Sequence, residues 1–359
     1  MTQTQQAAHL SLYRKYRPAT FKDVVGQDHI VSVLEESIRQ GKISHAYLFA
    51  GSRGIGKTSI ARIFARALGT TANDLYEIDA ASNTSVDDIR ELSEAVNTVP
   101  FESKYKVYIL DEVHMLSKAA FNAFLKTLEE PPRHVIFILA TTETEKLPDT
   151  IVSRCEVYTF KKPTVEILKK RVLDVVKLEA KESGSGTTLE PAAAELIALL
   201  GDGSFRDTLS TLQKVLNLKE GGTITLADVE KITGAPKSGL VLDYAKGLLA
   251  KDASQAIAAL NQAAADNLDM KVFAKLVMTR LRYVLMRLVS EREAEQLVSD
   301  ISTEDVAALN ALAKDQKADH VADTLRKMLD SYQLIGKTHI ASLPLELLAA
   351  ETAATAKKA

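Results

Sequence analysis

The apolar run Ala46-Tyr47-Leu48-Phe49-Ala50 opens directly into Gly51-Ser52-Arg53-Gly54-Ile55-Gly56-Lys57-Thr58, and residues 59–66 follow with helical spacing. No other stretch restricts the fold as much, because it predicts a buried strand, a tight glycine turn and a helix in immediate succession. The turn meets the pattern G-x-x-x-x-G-K-[ST] at every fixed position. Its glycines let backbone N–H groups curl around phosphate oxygens, and the start of the helix adds partial positive charge beneath them. On this reading Gly51, Ser52, Arg53, Gly54, Ile55, Gly56, Lys57, Thr58 and Ser59 cradle a nucleoside triphosphate. Lys57 bridges the outer phosphates, and the Thr58 hydroxyl ligates Mg2+. The competing explanation is a glycine-rich turn that fits by accident. The strand before it and the helix after it weigh against that.

Composition narrows the class. A chain of 359 residues, 46% hydrophobic and 26% charged, is globular and long enough for two or three domains. A net charge of −2 creates no general basic field, so any contact with DNA has to be local. The apolar runs are too short to span a bilayer, and Met1-Thr2-Gln3-Thr4-Gln5-Gln6 lacks the charged-then-apolar order of a secretory leader. The expectation is a cytoplasmic protein with no membrane partner. Cys155 is the single cysteine, which excludes an internal disulfide and a cysteine-based metal site, and the seven histidines show no ligand spacing.

Residues 1–160 alternate strand-like and helix-like segments. Residues 28–40 carry Ile30, Val33, Leu34 and Ile38 at helical spacing and stop at Gly41. After the loop helix come a strand over 75–79, a helix over 85–96, a strand over 106–110 and a helix over 117–128. Pro131-Pro132 ends that helix, and strands over 135–140 and 156–160 follow. This alternation predicts an α/β phosphate-loop domain, a parallel sheet with helices on both faces. The pattern changes at Lys161-Lys162-Pro163. From there to Gly234 only helical signals occur, broken by Ser183-Gly184-Ser185-Gly186. Residues 238–350 are helical again after a Gly234-Ala235-Pro236 linker, and the tail from Ala353 is expected to fray. The predicted domains are 1–162, 163–234 and 235–359.

Candidate chemistry lies beyond the loop. Val107-Tyr108-Ile109-Leu110-Asp111-Glu112-Val113-His114 is an apolar strand ending in two acids. Asp111 suits the magnesium shell and Glu112 the polarising of an attacking water. Acids that merely solubilise a sheet edge are the alternative, which the intact loop disfavours. Thr141-Thr142 closes the next strand and brings a hydroxyl to the same edge. Arg154, in Ser153-Arg154-Cys155, and Arg206, in Gly203-Ser204-Phe205-Arg206-Asp207, carry guanidinium groups suited to a transferring phosphoryl group. For both, spacing alone leaves a surface ion pair equally open.

These segments together resemble the gamma/tau family of bacterial polymerase III clamp loader subunits, which are AAA+ ATPases. The resemblance rests on Tyr13-Arg14-Lys15-Tyr16-Arg17-Pro18 with Phe21-Lys22-Asp23-Val24-Val25-Gly26-Gln27, on His45 to Thr58, and on Glu77-Ile78-Asp79-Ala80-Ala81-Ser82. It continues through residues 110–115, Leu125-Lys126-Thr127-Leu128-Glu129-Glu130-Pro131-Pro132, residues 139–142 and 153–155. Residues 11–160 match densely, 161–234 moderately, and 235–350 by helical character plus Leu343-Pro344-Leu345-Glu346-Leu347. The resemblance implies ATP as the nucleotide, with Arg17, Pro18, Val24 and Val25 lining the adenine pocket. It implies Thr142 as a sensor at the strand end, Arg206 as a lid arginine reaching the γ-phosphate in cis, and Arg154 as a finger acting on a neighbouring subunit's nucleotide. It further implies a helical lid domain and a helical collar domain. The partners implied are other gamma/tau copies with delta and delta-prime in a pentameric ring, a sliding clamp and primer–template DNA. ATP binding would open the clamp, and DNA-triggered hydrolysis would release it closed.

Two departures from the family stand out. The usual four-cysteine zinc module is replaced by Leu68-Gly69-Thr70-Thr71-Ala72-Asn73-Asp74, so no zinc is expected. The chain ends at residue 359, as either the short gamma-like form or a shortened chain. Candidate DNA contacts are Asn83 and Thr84 in the turn before a helix, Arg90, and Lys118 at a helix start, although ordinary caps and solvated charges explain each equally well. Two other functions remain: a non-hydrolysing scaffold subunit of the loader, disfavoured by the intact Gly56, Lys57 and Thr58, and another AAA+ DNA-processing ATPase.

Overall fold

The computed structural model describes residues 10–82, 85–218, 221–298, 301 and 303–356. They form two compact units: Met1–Leu168 with Gly203–Ser210, and Lys169–Asp202 with Thr211–Ala359.

The first unit is built on a five-stranded parallel sheet: β1 (Ala46–Ala50), β2 (Leu75–Asp79), β3 (Lys106–Asp111), β4 (Val135–Thr141) and β5 (Glu156–Thr159), in the order β2-β3-β4-β1-β5. Central strands β1, β3 and β4 are buried along nearly their whole length and read as continuous apolar runs, as strands covered on both faces do. Their side chains alternate between two cores. Leu48, Tyr108, Leu110, Phe137 and Leu139 point into one, and Tyr47, Phe49, Val107, Ile109, Ile136 and Ile138 into the other.

Helices close both faces. Helix α1 (Asp28–Gln40) and helix α2 (Lys57–Ala67) bury Ile30, Leu34, Ile60, Ile63 and Phe64 in the second core. Gly41 ends α1 at φ 68°, a left-handed cap that a side chain would strain. Helix α3 (Val86–Ala95) and helix α4 (Lys118–Glu129) bury Ile89, Leu92, Phe121 and Phe124 in the first. Phe124 meets Phe137 edge to face at 5.2 Å. Each such side chain contributes about 1.5–3 kcal/mol by leaving water. Register then sets the working edge: Ala50 pairs with Thr141 and Thr159, and Asp79 with Asp111, so β1, β3 and β4 all release their chains at one end of the sheet.

The second unit is largely helical. The residues expected to hold only helices differ in one detail: Thr188–Leu189 and Thr223–Ile224 form a two-residue parallel ladder, in which Thr188 donates from its backbone to the Gly222 carbonyl. Both segments are too short for any periodicity to register. Helices Ser238–Leu249 and Ala253–Ala265 approach so closely that a Cβ on Gly247 would lie 2.6 Å from the Ala256 nitrogen. Helix Leu343–Ala356 continues through Ala353–Ala356, which the composition of the tail did not suggest.

Where the four-cysteine module is missing, a short 3-10 turn over Ala72–Asp74 leads into β2. Asp74 is fully buried there and accepts from the backbone N–H groups of Phe101 (2.5 Å), Glu102 (3.0 Å) and Ser103 (2.7 Å). Burial opposes its charge, yet these donors prevail and lower its pKa to about 2. A carboxyl held below its unfolded value stabilises the fold above that value and stops doing so as pH falls through the folded one. Asp74→Ala is therefore expected to lower stability at neutral pH by on the order of 2 kcal/mol in denaturant titration. The gap between variant and parent should close as pH approaches 2; a gap that does not change with pH would contradict the assignment.

Candidate nucleotide site

The loop between β1 and α2 is anchored at both ends. Gly51 donates to the Thr141 carbonyl at 3.2 Å, and Gly56 caps α2 at φ 108°. The first turn of α2 contains no acid and carries N–H groups that lack intrahelical acceptors, the ordinary basis of an anion site. Lys57 is 6% exposed, and its Nζ donates to the carbonyls of Gly51 (2.6 Å) and Ser52 (2.9 Å). Burial pulls its pKa down, Arg206 adds to this, and Glu112 and Asp111 oppose it.

Strand β3 ends against this loop. Thr58 donates its hydroxyl proton to Asp111 Oδ2 at 2.7 Å, uniting the two expected magnesium ligands. Glu112 follows in the left-handed region at φ 48°, ψ 46°, a conformation that costs a non-glycine residue roughly 1–2 kcal/mol and redirects the chain. Its N–H donates to Asp111 Oδ1 at 3.0 Å, and its Oε2 accepts from Thr142 Oγ1 at 3.0 Å. Lys57, Thr58, Asp111, Glu112 and Thr142 thus come together at the edge to which β1, β3 and β4 deliver them.

The first unit adds two arginines. Arg17 donates from Nε to Ser59 Oγ at 2.9 Å, and burial lowers its pKa. Arg206 stands at the start of a helix whose Phe205 N–H donates to the Gly54 carbonyl at 2.9 Å, and its guanidinium lies 5.7 Å from the centre of the Tyr13 ring. In the segment that follows Arg17, Pro18 and Val24 are half-buried and Val25 is exposed. Ser52 and Arg53 are exposed at the loop tip, while Ile55 packs into the core.

The remaining candidates lie apart. Arg154 is bonded within its own corner, to Glu129 Oε1 at 2.6 Å and to the Thr150 carbonyl at 2.7 Å. Arg90 forms an exposed pair with Asp87 at 3.0 Å, and Lys118 is an exposed first residue of α4. Asn83 and Thr84 lie outside the described residues.

Sequence reasoning missed three residues that organise the site. Gln27, 1% exposed, exchanges hydrogen bonds with both backbone groups of Lys161 at 2.7 and 3.1 Å. Ser204 seats its helix against Gly54, and His114 sits beside Glu112. An isolated Gln in an N-terminal segment, or a His three residues beyond an Asp, carries no spacing that marks such a role.

A family model described as "DNA polymerase III, delta subunit" matches residues 26–79 and 69–164. DNA polymerase III subunit tau of Bacillus subtilis (strain 168) is 43% identical over 71% of this chain and 48% of its own length. The tau subunit of Escherichia coli (strain K12) is 39% identical over 77% of this chain and 45% of its own length. DNA polymerase III subunit gamma/tau of Mycoplasma pneumoniae is 45% identical over 61% of this chain and 34% of its own. The chain spans at most about half the length of these curated relatives. Among solved structures, the Thermotoga maritima RuvB Holliday junction branch migration motor superposes with TM-score 0.50 at 23% identity, over 65% of this chain and 78% of that one, a likeness of fold.

Gly54 carries a checkable consequence. It stands at φ +76°, and a Cβ there would lie 2.0 Å from Ser204 Oγ. Gly54→Ala should push away the helix start that bears Arg206 and weaken nucleotide binding at least about tenfold by calorimetry. Parental affinity would show that this approach is incidental.

Proposed function

The chain belongs to the DNA polymerase III gamma/tau family, and from that premise we propose that it is an ATP-hydrolysing subunit of a replicative clamp loader. The observation that carries the reading is the convergence of Lys57, Thr58, Asp111, Glu112 and Thr142 around one loop. A scaffold subunit has no need of this set in full.

The triphosphate of ATP takes the loop N–H groups and the first turn of α2 as donors. Lys57, already buried at the loop, exchanges the carbonyls of Gly51 and Ser52 for the outer phosphate oxygens. Arg17, Pro18, Val24 and Val25 line the adenine. Thr58 and Asp111 offer the hard oxygen donors that suit Mg2+, which when bound neutralises charge on the β- and γ-phosphates. Glu112 accepts the proton of the water that attacks the γ-phosphorus, as the bond to the ADP oxygen breaks. Thr142 senses the γ-phosphate with the hydroxyl that otherwise serves Glu112. Arg206 supplies positive charge from the same chain, and Arg154 does so for the nucleotide of a neighbouring subunit.

In this reading residues 163–234 act as a lid and 235–359 as a collar that joins gamma/tau copies with delta and delta-prime in a five-membered ring. ATP binding opens a sliding clamp, and hydrolysis triggered by primer–template DNA releases it closed. Arg90, Lys118, Asn83 and Thr84 are the candidate DNA contacts. Among the described residues no helix is long and apolar enough to cross a membrane.

Two variants test the chemistry. Glu112→Gln should retain ATP while its turnover falls at least about a hundredfold; phosphate release at the parental rate would remove Glu112 from the role of base. In assemblies mixed with parental subunits, Arg154→Ala copies should bind ATP normally and silence the site next door. Loss confined to their own site would refute action between subunits.

A further inference from the structure

His114 lies three residues beyond Asp111, on the 3-10 turn Val113–Met115, and its side chain is 5% exposed. The ring stands between two carboxylates that leave the sheet from different strands. Nδ1 is 3.0 Å from Thr141 Oγ1 and 3.5 Å from Glu112 Oε2, and Nε2 is 3.3 Å from Glu143 Oε1. Glu143 is itself fixed by Lys146 at 2.7 Å and by its own N–H donating to Thr141 Oγ1 at 3.1 Å. Nε2 therefore meets the turn after β4, and Nδ1 lies between Thr141 at the end of β4 and the carboxylate that follows β3.

We infer that His114 is a positioning residue that holds the Glu112 carboxylate toward the nucleotide loop, with Glu143 and Thr141 as its anchor. The inference rests on the reading of Glu112 as the group that accepts the water proton. Its physical basis is a shared hydrogen bond. In this structure Glu112 Oε2 accepts from the Thr142 hydroxyl, the same hydroxyl expected to turn to the γ-phosphate once ATP is seated. When Thr142 turns away, Glu112 Oε2 loses that donor. His114 Nδ1, 3.0 Å from Thr141 Oγ1 and 3.5 Å from Glu112 Oε2, then stands between the two and can donate to the carboxylate without any nucleotide contact of its own. The charged groups facing the ring are Glu112 from the end of β3 and Glu143, backed by Lys146, from the turn after β4.

The test uses the full chain in the assembled loader. His114→Ala should lower kcat for ATP hydrolysis at least about tenfold with ATP affinity within twofold of the parent. His114→Asn, whose amide places a donor near the Nδ1 position, should recover most of that loss, and His114→Gln, whose donor falls near Nε2, should not. Unchanged kcat in His114→Ala, or equal rescue by Asn and Gln, would overturn the inference. A second readout needs no turnover: the 15N resonance of His114 Nδ1 should move in Glu112→Gln and that of Nε2 in Glu143→Gln. An Nδ1 signal indifferent to Glu112→Gln would overturn it as well. Should Glu112→Gln itself hydrolyse ATP at the parental rate, the reading of Glu112 fails first and the role of His114 falls with it.

Discussion

The hydrogen bond from Thr58 to Asp111 joins two strands that are not neighbours in the sheet. Thr58 sits at the start of the helix leaving β1 and Asp111 at the end of β3, with β4 between them. The bond forms only if all three strands run parallel, in register, and release their chains at one edge. Every other feature of the site depends on the same arrangement. Lys57 is brought in by the turn that Gly51 anchors to Thr141, and Thr142 follows Thr141 directly. A shift of one residue in β3 would turn Asp111 to the opposite face and dismantle the set.

Stability and chemistry pull apart at this edge. The core beneath is made of buried residues in apolar contact, with Phe124 on Phe137 and Tyr47 on Phe64. The edge itself holds a left-handed glutamate, a buried lysine and glycines at positive φ. Such conformations persist where the surrounding structure over-determines them. Here the sheet does so from below, and the hydrogen bonds of Thr142, Thr141 and His114 do so from above.

Much of this was readable in the chain. The strands expected over 46–50, 75–79, 106–110 and 135–140 follow from largely apolar segments, and they form with bounds within a residue of those; Ser85 and Ser117 cap the two helix starts. The loop, Asp111 and Glu112 were legible because a phosphate site needs fixed residue types at fixed spacing. Thr142 and Arg206 could be named on resemblance, but only the tertiary fold brings the Thr142 hydroxyl to Glu112 and the Arg206 helix to Gly54. What stayed hidden depends on contacts distant in sequence. Gln27 meets Lys161 and Asp74 meets residues 101–103, pairings that no local period encodes. The two-residue strands escaped because a period of two needs more than two residues to appear. For Arg154, the pair with Glu129 describes the single chain, and a role across subunits belongs to an assembly.

A crystal structure of the full chain with Mg2+ and a slowly hydrolysed ATP analogue would test the account most directly. The account predicts the triphosphate on residues 51–58, with Lys57 Nζ moved from the Gly51 and Ser52 carbonyls to the outer phosphate oxygens and the cation on the Thr58–Asp111 side. A nucleotide bound elsewhere, or a Lys57 still held by its own loop, would contradict it.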